Sequence, residues 1–288
     1  MKKKLIDKIS TAIFFICALV SILSVLLICI FLFAGGVPAM GKIGFFDFIF
    51  GQVWKPSDLP ALYGIMPMIV GSLYVTAGAI IIGVPIGILT AVFMSHFCQK
   101  GIHKFLKPLV ELLAGIPSIV YGFFGLMVLV PVIRDQFGGN GNSILTASIL
   151  LGIMILPTVI SISEAALRAV PDMYYEGALA LGATHERSVF SIVLPAAKSG
   201  VFASIVLGIG RAVGETMAVI MVAGNQARMP VDLLKGVRTL TANIVIEMGY
   251  AQGLHREALI ATGVVLFVFI LLLNISFHLL SNRKKVNG

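Results

Sequence analysis

EGALALGATHERSVFSIVLPAAKSG (Glu176–Gly200) is a polar interlude between two long apolar runs, and it is too long for a plain connection. Gly182 lies mid-segment, and Pro195 precedes the next apolar run. MYYEGALAL favours helix, Gly182 interrupts it, HERSVFSIVL resumes it, and Pro195 ends or kinks the second piece. The pattern predicts a helix–turn–helix at a membrane face, built to dock. The small residues Gly177, Ala178, Ala180, Gly182 and Ala183 admit close approach, and Val189, Phe190, Ile192 and Val193 offer an apolar anchor for a partner's groove.

The rest of the chain explains why such an element is needed. Of 288 residues, 58% are hydrophobic and 12% charged, with mean hydropathy +1.03. Soluble domains carry about 25% charged residues. That deficit, with apolar runs of about 20 residues or more, places the chain in a bilayer as a single membrane domain. Six spans are predicted, over 12–34, 67–94, 108–133, 144–163, 200–223 and 257–281. The third contains Gly115, Pro117, Gly122 and Gly125 and is expected to be kinked, or interrupted where it lines a cavity. MKKKLIDKIS resembles the start of a signal peptide, but the apolar run behind it exceeds an h-region of about 7–15 residues, so a retained first span is expected.

The net charge of +8 does not point to nucleic acid, because the basic residues gather at span ends. The N-terminus (Lys2, Lys3, Lys4, Lys8), the 95–107 loop (Lys100, Lys104, Lys107), the 164–199 loop (Arg168, Arg187, Lys198) and the C-terminus (Arg283, Lys284, Lys285) hold thirteen Lys and Arg, against seven on the opposite side. The excess predicts cytoplasmic termini and a cytoplasmic 164–199 loop. Two outer connections are substantial. Residues 35–66 carry aromatics, Trp54 among them, that suit a membrane interface, and VDLLKGVRTLTANIVIEMGY within 224–256 suggests a short amphipathic helix. Cys17 and Cys29 stand about 18 Å apart on one helix, beyond disulfide reach, and the five scattered histidines give no metal spacing.

GIGRAVGETMAV (Gly208–Val219) puts a charge inside a span. Arg211 lies eleven residues beyond Gly200, about 16 Å in, near the middle of a core about 30 Å thick. An arginine there costs about 2.5–3.5 kcal/mol on insertion scales and needs a partner or water. Glu215, four residues on, is expected on the same helical face, with Thr216 beside it. Arg before Glu is the weaker order for a helix pair, so helix stabilisation is a poor reason to keep both. An anion path is the better one. The planar guanidinium gives an oxyanion two parallel hydrogen bonds, Gly208, Gly210 and Gly214 leave room, and Glu215 accepts from a protonated oxygen of hydrogenphosphate. Arg168 is a weaker candidate, read as an anchor at the inner membrane face. No nucleophile–base pair or carboxylate dyad suggests catalysis.

Glu176-Gly177-Ala178, then Gly182, then Ile192-Val193-Leu194-Pro195 resembles the EAA loop of bacterial ABC-importer permeases: Glu-Ala-Ala, three residues, Gly, nine residues, Ile-x-Leu-Pro. Gly177 stands where Ala is usual, a change of about 1 kcal/mol in local helix strength. The resemblance implies that Glu176, Gly177, Ala178, Gly182, Ile192, Leu194 and Pro195 couple the spans to a separate ATPase. The chain itself has no G-x-x-x-x-G-K-[ST]; GIGRAVGET lacks the lysine and the spacing.

From first span to last the chain is similar to the PstC-type permeases of phosphate ABC importers, on WKPSDLPALYGIMPMIVGSLYVT, PLVELLAGIPSIVYGFFG, SEAALRAVPDMYYEGALALGAT and GIGRAVGETMAV. That family implies an all-α membrane protein of the type I ABC importer permease fold in the bacterial plasma (inner) membrane. It implies translocation through Arg211 and Glu215. It also implies a PstA-like sister permease, two PstB-like ATPase subunits and a PstS-like extracytoplasmic phosphate-binding protein. ATP and Mg belong to the ATPase, and no cofactor to this chain. The expected organisation is an N-terminal span and outer loop (1–66), a permease core (67–281) and a basic tail (282–288). The alternatives are a permease for another oxyanion, sulfate or molybdate, and a secondary anion transporter, which the missing inverted repeat disfavours.

Overall fold

The computed structural model describes residues 2–286, with side chains described for residues 9–276. Helix α1 (Lys2–Ile43) is the first apolar run extended, and Pro38 is accommodated within it. After the short α2 (Phe45–Phe50), strands β1 (Trp54–Lys55) and β2 (Leu62–Tyr63) pair antiparallel with Trp54 opposite Tyr63. Helix α3 (Met66–Val92) begins with Pro67 in its first turn, where a missing N–H is harmless, and runs into a π-turn, Phe93–Phe97.

The third predicted span is interrupted. Helix α4 (Lys100–Gly115) stops at Ile116–Pro117, and α5 (Ser118–Phe124) restarts, continuing through a π-turn (Gly125–Leu129) into α6 (Val130–Phe137). The stretch long and apolar enough to cross a membrane is Ser118–Phe137 rather than 108–133. Pro117 explains the break, because it forces the preceding residue out of helix. Helix α7 (Ile144–Arg168) starts at Ser143, whose hydroxyl accepts from the Thr146 amide at 3.2 Å. Residues 164–168 therefore belong to this helix and not to the loop that follows.

That loop folds as α8 (Asp172–Ala180), α9 (His185–Ser188), a π-turn (Val189–Val193) and α10 (Leu194–Ala196). A 70° bend separates His185–Ala196 from α11 (Lys198–Gly214). The fifth predicted span, 200–223, is not continuous: α11 ends at Gly214 and α12 (Met217–Val222) begins afresh. After α13 (Leu240–Met248), the short helix expected in the second outer connection, α14 (Gly253–Val286) closes the chain. Among the described residues, five helices are long and apolar enough to cross a membrane, or six if the bent pair counts as one span.

Helix α7 is the hub. It is buried on most faces and packs against α3 and α11. Glycines permit the approach: a Cβ on Gly83 would sit 2.6 Å from the Gly152 carbonyl, and one on Gly87 would sit 2.7 Å from Val159. The main core joins α3, α5, α7, α11 and α12, while a second core at the hairpin end joins α1, α2, the hairpin, α13 and α14. Trp54 is buried in that second core. Its indole N–H donates to buried Glu247 at 2.9 Å, so the ring packs against protein.

Candidate functional site

Arg211 stands thirteen residues into α11, about 20 Å from its start by helical rise. It is half-buried, and its Nη1 donates to Thr158 Oγ1 of α7 at 3.4 Å. Thr158 is ten residues from the end of α7, about 15 Å, so two independent helices put the guanidinium near mid-depth. The expectation that Glu215 lies on the Arg211 face of one continuous helix is corrected. Glu215 has extended backbone (φ −69°, ψ 131°), and no ion pair joins the two among the described residues. Two forces end the helix there. Gly208, Gly210 and Gly214 weaken it. Glu215 Oε1 instead accepts from the Ala218 amide at 3.2 Å, opening α12, while the Glu215 carbonyl accepts from Thr241 at 3.1 Å. The Thr216 hydroxyl donates to the Gly214 carbonyl at 3.2 Å.

The two helix breaks lie on helices that touch. Helices α5 and α12 pack together, and a Cβ on Gly122 would stand 2.9 Å from the Ala218 Cα. Tyr121, on α5, bridges its own break by donating to the Leu113 carbonyl at 2.8 Å. Interrupted helices within a membrane occur where backbone lines protein or water rather than lipid. Space beside the charge is real: a Cβ at Gly210 or Gly214 would meet nothing within 4 Å. The arrangement offers an oxyanion a planar cation with the Thr158 hydroxyl beside it, which suits binding more than bond chemistry.

The helix–turn–helix expected at Glu176–Gly200 is present. Gly182 adopts φ 85°, a left-handed conformation that favours glycine. Thr184 caps α9 by accepting from the Arg187 amide at 3.3 Å, and Tyr175 bonds His185 Nδ1 at 2.6 Å, pinning α8 to α9. The apolar anchor is corrected in part. Val189 and Val193 are fully buried against Ala91, Val92, Leu167 and Val201, because they hold the loop to the spans. Phe190 and Ile192 are exposed, as are Met173, Tyr174 and, at 91%, Leu181. Glu176, Gly177, Gly182 and Pro195 face outward, Leu194 is half-buried, and Ala178 is buried.

Sequence reasoning missed two buried glutamates. Glu164, on α7 at the loop end, bonds His103 Nε2 at 2.7 Å, Lys107 Nζ at 2.9 Å and Arg168 Nε at 3.0 Å. Arg168 also caps α3 through the Met94 carbonyl at 3.1 Å, so its anchoring is to protein. Glu247, on α13 at the hairpin end, accepts from Trp54 Nε1 at 2.9 Å, pairs with Arg238 Nη1 at 2.5 Å and meets His255 Nε2 at 2.8 Å. The Glu164–Arg168 spacing of four was a local signal. Glu247 had none, its indole partner being 193 residues away. No cluster of three metal-ligating side chains occurs among the described residues.

A bundle of broken spans around an interior cation, with an outward-facing helix–turn–helix at one end, defines a membrane permease of the binding-protein-dependent class. Residues 83–286 match the family described as "Binding-protein-dependent transport system inner membrane component", and the chain belongs to that family. It is 38% identical over 275 residues to the probable ABC transporter permease YqgH of Bacillus subtilis, covering 94% of this chain and 89% of the relative. It is 35% identical over 267 residues to the phosphate transport system permease PstC of Mesorhizobium japonicum, covering 85% and 81%. Its fold is similar to a bacterial alginate ABC transporter solved with an alginate pentasaccharide-bound periplasmic protein, with TM-score 0.62, 18% identity and 93% and 94% of the two chains covered. The MetNI methionine ABC transporter gives TM-score 0.58 at 19% identity, over 76% and 94%. The chain is a multi-pass inner-membrane transport subunit.

Proposed function

We propose that this chain is the phosphate-translocating permease of an ATP-driven importer. One observation carries the reading: Arg211 lies near mid-depth with a hydroxyl partner and no carboxylate among the described residues, beside two helix breaks. A cation retained there without a counter-ion suits a substrate that brings the negative charge. Phosphate is favoured over other oxyanions because relatives at 32–35% identity are phosphate transport permeases. Both termini and the Glu176–Gly200 loop then lie in the cytoplasm. Glu176, Gly177, Gly182, Ile192, Leu194 and Pro195 meet the ATPase, with Ala178 setting the spacing from within. A PstA-like sister permease completes the path, two PstB-like subunits bind ATP and Mg, and a PstS-like protein delivers phosphate.

The test is ATP-dependent uptake of labelled phosphate into liposomes holding the four-component complex. Arg211→Gln lowers uptake roughly 10–100-fold, the equivalent of losing a charge-assisted hydrogen-bonded partner, while the complex still assembles. Equal uptake by the variant overturns the role of Arg211, and uptake without ATPase overturns the importer. Glu215→Gln keeps an acceptor for the Ala218 amide, so it reads selectivity separately from folding. It narrows the preference for phosphate over sulfate, because carboxylate repulsion of a fully deprotonated anion is lost. An unchanged ratio removes Glu215 from selectivity.

A further inference from the structure

Pro117 does more than bend the third span. In a continuous helix the Leu113 carbonyl would accept from the amide of residue 117, and proline has none. The Tyr121 hydroxyl takes that place, donating to the Leu113 carbonyl at 2.8 Å across the Ile116–Pro117 break. Among the described residues it is the one hydrogen bond that crosses the break. The two sides are held by different neighbours. Helix α4 is tied to α7, because His103 and Lys107 bond Glu164 and Val110 packs with Ile160. Beyond Val110 that hold lapses. Glu111, Leu112, Leu113, Ala114 and Gly115 are all exposed, and a Cβ on Gly115 would meet nothing within 4 Å. Past the break the chain is locked to α12 and α7, since a Cβ on Gly125 would stand 2.8 Å from Val222 and 2.9 Å from Leu150. Tyr121 is buried in the cluster that also holds Ala212, next to Arg211, and Ala218, past the second break. The Arg211 charge is felt at its hydroxyl.

We propose that Tyr121 is a positioning residue for translocation: its hydroxyl is a latch that holds the end of α4 closed across the Pro117 hinge and releases it as an ion passes Arg211. The inference rests on the transport reading above. A single hydroxyl bond suits the part. A backbone ladder rejoins only by refolding a turn, whereas a phenol and a carbonyl separate by a small rotation and rehydrate in a wetted path. Hinges work through such local changes at a few residues where elements end. Helix α4 is the lever. At its loop end it carries the bonds to Glu164, and at its other end it carries Leu113, whose partner hydroxyl feels the Arg211 charge. Movement at the loop end thus reaches the interior cation through one helix and one hydrogen bond.

The experiment measures labelled phosphate uptake and ATP hydrolysis in the same liposomes, with the complete complex and its binding protein. Tyr121→Phe keeps the ring and removes the latch. Phosphate carried per ATP is expected to fall roughly 2–10-fold, the range over which one hydrogen bond shifts an open–closed equilibrium. The KM for phosphate stays where it was, since Arg211 is untouched. An unchanged ratio overturns the proposal. Adding Pro117→Ala separates a latch from a mere filler of hydrogen bonds, because it gives the Leu113 carbonyl a permanent backbone donor. The double variant is expected to assemble and to keep the low ratio. Return to the wild-type ratio shows that satisfying the carbonyl is enough, and overturns the proposal. That comparison holds even where Tyr121→Phe alone fails to assemble. The hinge itself is read without transport, from the distance between spin labels at exposed Leu112 and Phe123 with the three native cysteines replaced. The distance is expected to differ with and without ATP in the otherwise native chain, and to stay fixed in Pro117→Ala. A hinge that stays still in a complex that transports overturns this proposal alone. A hinge that moves in a complex that takes up no phosphate overturns the transport reading alone.

Discussion

The two buried glutamates mark opposite ends of the bundle and are solved differently. At the hairpin end, Glu247 is surrounded by Arg238 and His255, only 16% and 14% exposed, with the Trp54 indole completing its shell. At the loop end, Glu164 is as deeply buried, but its partners His103, Lys107 and Arg168 are 24%, 33% and 49% exposed. The first cluster closes over its charge and joins the hairpin, α13 and α14. The second joins α4, α7 and α3 with cations that water still reaches. A dry charge network is expensive to open, because each separated charge loses its compensation inside the protein. A wettable one opens at low cost, because its cations rehydrate as they part. The contrast teaches that the hairpin end is built to stay together and the loop end is built to let helices shift.

Arg238→Met is the sharpest way to break this comparison. It leaves Glu247 buried beside a histidine and an indole, and the complex loses about 3–5 kcal/mol by thermal unfolding, the usual result of stripping a partner from a buried charge. A loss below about 1 kcal/mol would show the hairpin end to be wetter than its geometry. Trp54→Phe keeps the ring and removes one donor to the carboxylate, with an expected loss of about 1.5–3 kcal/mol. Glu164→Gln comes last. Its three freed partners reach water, so the expected loss is about 1 kcal/mol and shrinks as salt rises. The same salt series leaves the Arg238→Met penalty unchanged. If the order of Arg238→Met and Glu164→Gln reverses, the assignment of rigid and mobile ends reverses with it.

Legibility in the sequence followed the range of the physics. Span placement rests on apolar runs about 20 residues long, a local property, and five of six came through with shifted ends. The Gly182 turn was legible because one residue type meets a left-handed backbone at small cost. The break after Arg211 was harder. Periodicity carried the helix on to Glu215, while the decision to stop lay in the Glu215 carboxylate's contact with the Ala218 amide and in Thr241, from a distant segment. Val189 and Val193 were misplaced for a related reason. A hairpin's apolar residues divide between its own bundle and a partner, and sequence shows their type but not that division. Trp54 and Glu247, partners across 193 residues, lie beyond any local pattern.

Leu181, 91% exposed at the tip of the Gly182 turn, also bears on the life of the chain before assembly. With Met173 and Tyr174 nearby, it presents apolar surface to water on a segment that reaches beyond the spans. Such surface is tolerated when covered and invites capture by chaperones and proteases when bare. An unassembled copy therefore carries its own mark for removal, and the standing amount of this subunit follows the supply of whatever covers that tip.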